Sequence, residues 1–214
     1  MQVVLFDNDG TIADTQGMIL ESFRHATDKV LHESFPDEAY LAKSGIPLAD
    51  MMADFTGDPL LQQELLDAYR AYNHQIHDER IALFEGELEA LAALQAKGLA
   101  LGVVTSKLHA LAARGLDVLG LTPYMGVLVA ADDCERAKPD PAPVLMGCAA
   151  LDVAPAHAVY VGDAPFDIQA GKAAGCATIG VTWGMHAADV LRREKPDALV
   201  SSFAELPDAV ASLG

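Results

Sequence analysis

The sequence predicts an α/β protein, a doubly wound parallel sheet interrupted by an all-helical insertion. Three observations carry this. From about residue 84 onward, short apolar runs alternate with amphipathic stretches. The runs are almost continuously apolar, as expected of strands covered on both faces. Residues 14–82, by contrast, show helical periodicity and no strand-like alternation.

Taken in order, QVVLF (2–6) is the first strand. Helices are predicted over roughly 15–33, 36–43, 47–54 and 59–79. No strand partner for QVVLF lies nearby, so this block reads as an insertion between the first strand and the rest of the sheet. The expected division is a core of residues 1–13 and 84–214 and a helical cap of residues 14–83. An insertion at that point sits over the carboxyl ends of the strands, where open α/β sheets bind ligands. Five further strands are predicted by LALGVVT (99–105), MGVLVAA (125–131), HAVYVGD (157–163), CATIGVT (176–182) and DALVSS (197–202). Helical stretches such as ELEALAALQAKG and FDIQAGKAAG flank them. Gly98 and Gly175 are placed to end helices, and Pro139 and Pro141 to begin one.

The 214 residues suffice for a sizeable core. A net charge of −17 argues against nucleic acid or an anionic membrane as partner. No run approaches the ~18–20 apolar residues of a membrane helix, and the N-terminus lacks the basic flank of a signal peptide. A cytoplasmic location is therefore expected. Cys134, Cys148 and Cys176 are odd in number and lack CxxC spacing, so inert thiols are expected rather than a disulfide framework or a zinc site.

Four pieces carry chemistry, each at or just past a predicted strand end. In Asp7-Asn8-Asp9-Gly10-Thr11, residues two apart point the same way on an extended chain, which brings the Asp7 and Asp9 carboxylates together. Neighbouring carboxylates resist joint ionisation, a division suited to one nucleophile or metal ligand and one general acid. Gly10 permits a turn, and the Thr11 hydroxyl is placed to tie it. Thr105-Ser106-Lys107 offers a hydroxyl and backbone N–H groups as an anion seat, or simply a helix cap. Lys138, before Pro139, can aim an ammonium at a phosphate and a carboxylate, or lie on the surface. Asp163 and Asp167 in GDAPFD supply the hard oxygen ligands of Mg²⁺, although Asp167 equally suits a helix N-terminus.

These four pieces, in this order, resemble the haloacid dehalogenase superfamily, and the resemblance covers the whole chain. Asp7–Thr11 matches its DxDGT motif, Thr105 the Ser/Thr motif, Lys138 the Lys motif, and Asp163 with Asp167 the GDxxxD motif. SGIPL (44–48), VVTSK (103–107), GDAPFDIQAGKAAG (162–175) and GVTWG (180–184) look like the phosphoglycolate phosphatase and pyrophosphatase branch. The resemblance implies a Rossmann-like core and a Mg²⁺-dependent phosphatase acting on a small phosphorylated metabolite. It implies Asp7 as nucleophile, Asp9 as general acid and base, and Gly10, Thr105, Ser106 and Lys138 around the phosphate. It places the metal on Asp7, the Asp9 carbonyl and Asp163, with Asp167 in support. A phosphomutase or a pyrophosphatase would share this core. Asp9 disfavours a haloalkanoic acid dehalogenase, and no GxGxxG follows the first strand. Asn8 departs from the usual apolar residue and is expected to point away from the site. Phe84-Glu85-Gly86 replaces a common proline–glycine entry. SGIPL is the candidate substrate-facing loop, and Trp183 and Met185 belong at the site's mouth or in the core. His74 and His77, three apart on one helix, are a possible metal pair but more readily a solvated face. Oligomeric state is not legible.

Overall fold

The computed structural model describes residues 1–214. Six strands, β1 (Val3–Phe6), β2 (Ala100–Val104), β3 (Val127–Val129), β4 (Ala158–Gly162), β5 (Ala177–Val181) and β6 (Ala198–Val200), form one sheet. Their order is β3-β2-β1-β4-β5-β6, and every ladder is parallel. β1 is the central strand, with Val3 opposite Ala100 on one side and Ala158 on the other. The chain steps outward to β3, then returns across β1 to β4, so the winding reverses between β1 and β4. That reversal is where such sheets open a crevice.

Side chains alternate across the sheet, and both faces are apolar. Val4 and Phe6 face α5 (Glu87–Ala96), α6 (His109–Val118) and α10 (Leu206–Ser212), through Leu91, Leu94, Leu116 and Val210. Val3 and Leu5 face α7 (Ala142–Ala150) and α8 (Pro165–Ala174), through Val144, Cys148 and Ala170. The expected five- to seven-residue strands are shorter here, and β3 and β6 keep only three residues. Each is an edge strand with one partner.

Between β1 and α5 lie only helices: α1 (Gln16–Leu31), α2 (Asp37–Leu41), α3 (Leu48–Met51) with a following 3₁₀ turn (Met52–Asp54), and α4 (Pro59–Arg80). α4 starts where its sequence says it should. Asp58 accepts the Leu60 N–H at 2.9 Å, and Pro59 occupies the first turn. This block has its own core, in which Phe23 stacks on Tyr40 and meets Tyr69 edge-on. Its two links to the sheet domain run side by side, with Asp14 N–H donating to the Ala82 carbonyl at 2.9 Å and Ala82 N–H returning a bond to Asp14 at 3.2 Å. A last helix, α9 (Ala188–Arg193), precedes β6. No helix is long and apolar enough to cross a membrane.

His74 and His77 do not share a solvated face. His77 is fully buried where α4 meets α6, against Gly115, while His74 is exposed. Burial pushes the His77 imidazole below its usual range. Neither histidine belongs to a cluster of metal-ligating groups. Cys148 and Cys176 are buried free thiols, and Cys134 is partly exposed.

Candidate active site

β1 and β4, adjacent at the winding reversal, end in Asp7 and Asp163, and α8 presents Asp167 in its first turn. All three are buried, and one carboxylate oxygen from each lies within 4.8 Å of the others. Lys138 enters from the loop before α7. Its Nζ lies 2.8 Å from Asp7 Oδ1 and 2.6 Å from Asp167 Oδ1. Asp167 is occupied on both oxygens: Oδ1 takes Lys138, and Oδ2 accepts the Ala164 N–H at 2.9 Å, tying down the start of α8.

Asp163 is held by two bonds from distant parts of the chain. The Thr11 hydroxyl donates to Oδ1 at 3.1 Å and the Met185 N–H to Oδ2 at 2.7 Å. Thr11 therefore does not tie its own turn. The turn is closed by the N–H groups of Thr11, Ile12 and Ala13, which converge on the Asn8 carbonyl. Gly10 has φ +79°, and a Cβ there would overlap the Asp163 carboxylate, so only glycine lets this loop approach. Asn8 is buried but does not line the cavity above the cluster.

Three buried carboxylates around one lysine set the electrostatics. Burial is the largest influence on Asp7 and raises it to about 7. Lys138 pulls the other way, and the charges of Asp167 and Asp9 add to the rise. The expected Asp7–Asp9 repulsion is thus a minor contribution. Asp163 is pushed well above the usual carboxylate range by burial, then by Asp167 and Asp7. For Lys138 burial acts downward, but the Asp167 and Asp7 carboxylates hold its ammonium well above the ordinary value.

Above the cluster is a cavity of about 180 Å³ lined by both the sheet domain and the helical block. Asp7, Asp9, Thr105, Ser106 and Asp163 line it, but Lys138 and Asp167 do not. The Asp9 carboxylate turns away from the other acids to Lys107, whose Nζ lies 2.7 Å from Asp9 Oδ1. The Asp9 backbone carbonyl accepts no hydrogen bond. The Ser106 N–H likewise donates to no protein acceptor, while its hydroxyl donates to the Gly45 carbonyl at 2.7 Å. SGIPL therefore folds down onto the strand ends. Gly45, at φ +105°, lies so close to Ala164 that a Cβ would overlap it. Met185 lines the cavity, whereas Trp183 packs on Phe84 and Phe203 and donates its Nε1–H to the Thr11 carbonyl at 3.1 Å. Lys107 is a site residue to which sequence reasoning assigned no role, although it stands in the same TSK run as Thr105.

The donor set suits a hard divalent cation. Carboxylate oxygens from Asp7 and Asp163 and the free Asp9 carbonyl lie at one strand-end crevice, and one lysine cannot balance three buried acids. Asp167 belongs to the same cluster, with Oδ1 on Lys138 and Oδ2 on the Ala164 N–H.

Comparison with known proteins agrees with this arrangement. A sequence model of the haloacid dehalogenase-like hydrolase family matches residues 4–181. The chain is 35% identical over 206 residues to the pyrophosphatase PpaX of Bacillus pumilus, covering 96% of this chain and 94% of that protein. It is 35% identical over 203 residues to PpaX of Bacillus velezensis, covering 95% and 93%. Among solved structures, a predicted phosphoglycolate phosphatase from Haemophilus somnus superposes with a TM-score of 0.90 at 22% identity, covering 97% of each chain. A β-phosphoglucomutase from Clostridium difficile superposes at 0.83 with 19% identity, covering 99% and 98%. With the family matched across most of the chain and its strand-end acids gathered in one crevice, this protein belongs to the haloacid dehalogenase-like hydrolases.

Proposed function

We propose that this protein is a Mg²⁺-dependent phosphatase that cleaves a small phosphate ester through an aspartyl-phosphate on Asp7. The observation that carries the reading is the position of Asp7. It lies at the floor of the cavity, at a strand end, with Lys138 2.8 Å from its carboxylate and Asp163 in the same cluster. In the first step an Asp7 carboxylate oxygen bonds to phosphorus while the ester P–O bond breaks. The electron pair leaves with the ester oxygen, which takes a proton from Asp9. Water then attacks phosphorus, gives its proton to Asp9 and releases phosphate, which regenerates Asp7. Thr105 and the unpartnered Ser106 N–H hold the phosphoryl oxygens, Lys138 acts on them through its ion pair with Asp7, and Gly10 keeps the chain close. Mg²⁺ bound by Asp7, the Asp9 carbonyl and Asp163 would neutralise those oxygens as a Lewis acid. Residues 14–83 act as the cap that excludes water and selects the leaving group.

A second reading, hydrolysis of pyrophosphate by the same steps, is favoured by the PpaX relatives. The phosphomutase alternative rests on likeness of fold alone. Phosphate release should be measured for phosphoglycolate, pyrophosphate, sugar phosphates, nucleoside monophosphates and p-nitrophenyl phosphate, with Mg²⁺ or EDTA. Turnover that needs Mg²⁺ and falls by roughly 10³-fold or more in Asp7→Asn is the expected result. Turnover that survives the substitution would remove Asp7 as the nucleophile.

A further inference from the structure

The chain has three cysteines, and two of them meet although they stand 28 positions apart. Cys148 lies in the last turn of α7, and Cys176 follows Gly175, which ends α8. Their sulfurs are 3.9 Å apart in the apolar layer on the Val3 and Leu5 face of the sheet. Both are free thiols. Solvent is near: Ala149 and Gly175, their neighbours in the chain, are exposed, and Cys176 itself is 7% exposed. A small oxidant therefore has a way in. Each cysteine has one side-chain torsion with which to bring the sulfurs from contact to the about 2.05 Å of a bond.

The two thiols share one hydrogen bond. That bond draws the Cys148 thiol below its ordinary range, against the upward push of burial, and holds the Cys176 thiol above its own. One sulfur is thus prepared to attack, and the other stands in contact with it. The second observation is what these helices hold at their other ends. Lys138 precedes α7, and Asp167 lies in the first turn of α8. Their side chains meet at 2.6 Å. An ion pair joins the leading ends of α7 and α8, and two thiols touch at the trailing ends.

We propose that Cys148 and Cys176 form a reversible oxidation site, at which hydrogen peroxide makes a disulfide that clamps the trailing ends of α7 and α8. The Cys148 thiolate attacks one peroxide oxygen and the O–O bond breaks, leaving a sulfenic acid on Cys148 and a hydroxide. That hydroxide takes up the proton Cys148 gave, forming water. The Cys176 sulfur then attacks the sulfenic sulfur and the S–O bond breaks. The departing hydroxide takes the Cys176 proton as a second water. Two thiols give up two electrons, and the peroxide receives them. A thiol reductant reverses the step by exchange. The cross-link closes a loop that contains β4, Asp163 and Asp167, so it restrains the unfolded chain around two acids of the site. None of this depends on the substrate or on the phosphatase reading.

The test uses the full-length protein with Cys134→Ser, which removes the third thiol. The folded protein is treated with hydrogen peroxide, its remaining thiols are alkylated, and it is digested with trypsin. Cleavage after Lys172 puts the two cysteines on separate peptides, Ala137–Lys172 and Ala173–Arg192. The expected result is these two peptides joined, lighter by two hydrogens than their sum. Tm should rise by roughly 5–10 °C, and dithiothreitol should cancel the rise. Adding Cys176→Ala should leave Cys148 as a sulfenic acid that dimedone traps, with no gain in Tm. Should that variant fail to fold, the joined peptides and the reversible shift in its parent decide the matter. Alkylation of both cysteines as free thiols after peroxide, or their conversion to sulfinic acids without a link, would overturn the oxidation site. Joined peptides with Tm unmoved or lowered would overturn the clamp.

Discussion

Glu87, the first residue of α5, allows a prediction with a magnitude. Its side chain is 1% exposed. One carboxylate oxygen accepts the Phe84 N–H at 3.0 Å, and the other has no partner. Burial pushes this carboxyl from an ordinary 4.5 up to about 8, against the downward pull of the Phe84 amide. The folded state thus binds the proton more tightly than the unfolded chain. The stability this contributes is complete below pH 4.5 and is lost as pH rises through 8. At roughly 1.4 kcal/mol per pH unit, the interval from 4.5 to about 8 amounts to about 5 kcal/mol. Water drawn in beside the charged form reduces this, so about 3 kcal/mol is expected. That is large against a typical folding stability of ~5–15 kcal/mol.

Glu87→Gln keeps the acceptor for Phe84 and removes the charge. Urea unfolding at pH 5, 7 and 9 isolates the effect as the difference between wild type and variant, because Asp7 and Asp163 titrate in both. The variant should match the wild type or fall slightly below it at pH 5, and exceed it by about 3 kcal/mol at pH 9. Parallel curves for the two proteins across that range would refute the reasoning.

Mg²⁺ should raise the melting temperature, by the equivalent of ~2.7 kcal/mol at a hundredfold excess over Kd, and Asp163→Asn should abolish the rise in a thermal-shift titration. Lys138→Met leaves Asp7 and Asp167 buried without a cation, so its unfolding free energy in urea should fall by about 3–5 kcal/mol. Gly10→Ala combines a positive φ with a methyl pressed onto Asp163. It should cost ~1–3 kcal/mol and blunt the Mg²⁺ response in the same titration.

The sheet was legible because β1, β2, β4 and β5 are buried on both faces and so are written as unbroken apolar runs. The placing of acids at strand ends was legible wherever it is local, as in Asp7–Thr11. What connects the pieces was not. The Thr11 hydroxyl serves Asp163, far along the chain, and adjacency in sequence suggested a turn of its own. Lys107 stood in view, but which carboxylate it meets depends on how the loop after β2 returns beside β1. His77 was misjudged because the core helix that would cover α4 is decided by tertiary packing. The absent side chain of Gly115, which makes room for the ring, was the available hint.

The paired crossing at Asp14 and Ala82 has a consequence for how such a chain can change over time. The helical block leaves and rejoins the sheet domain through two segments one hydrogen-bonded rung apart. Topologically the block is an ornament on a hairpin: cutting it out and closing the gap requires only a short turn, and replacing it with a larger or smaller piece leaves the strand register as it was. The strand-end acids and the helical block therefore sit on separately exchangeable pieces of chain. The block can change without renegotiating the packing that holds Asp7 in place.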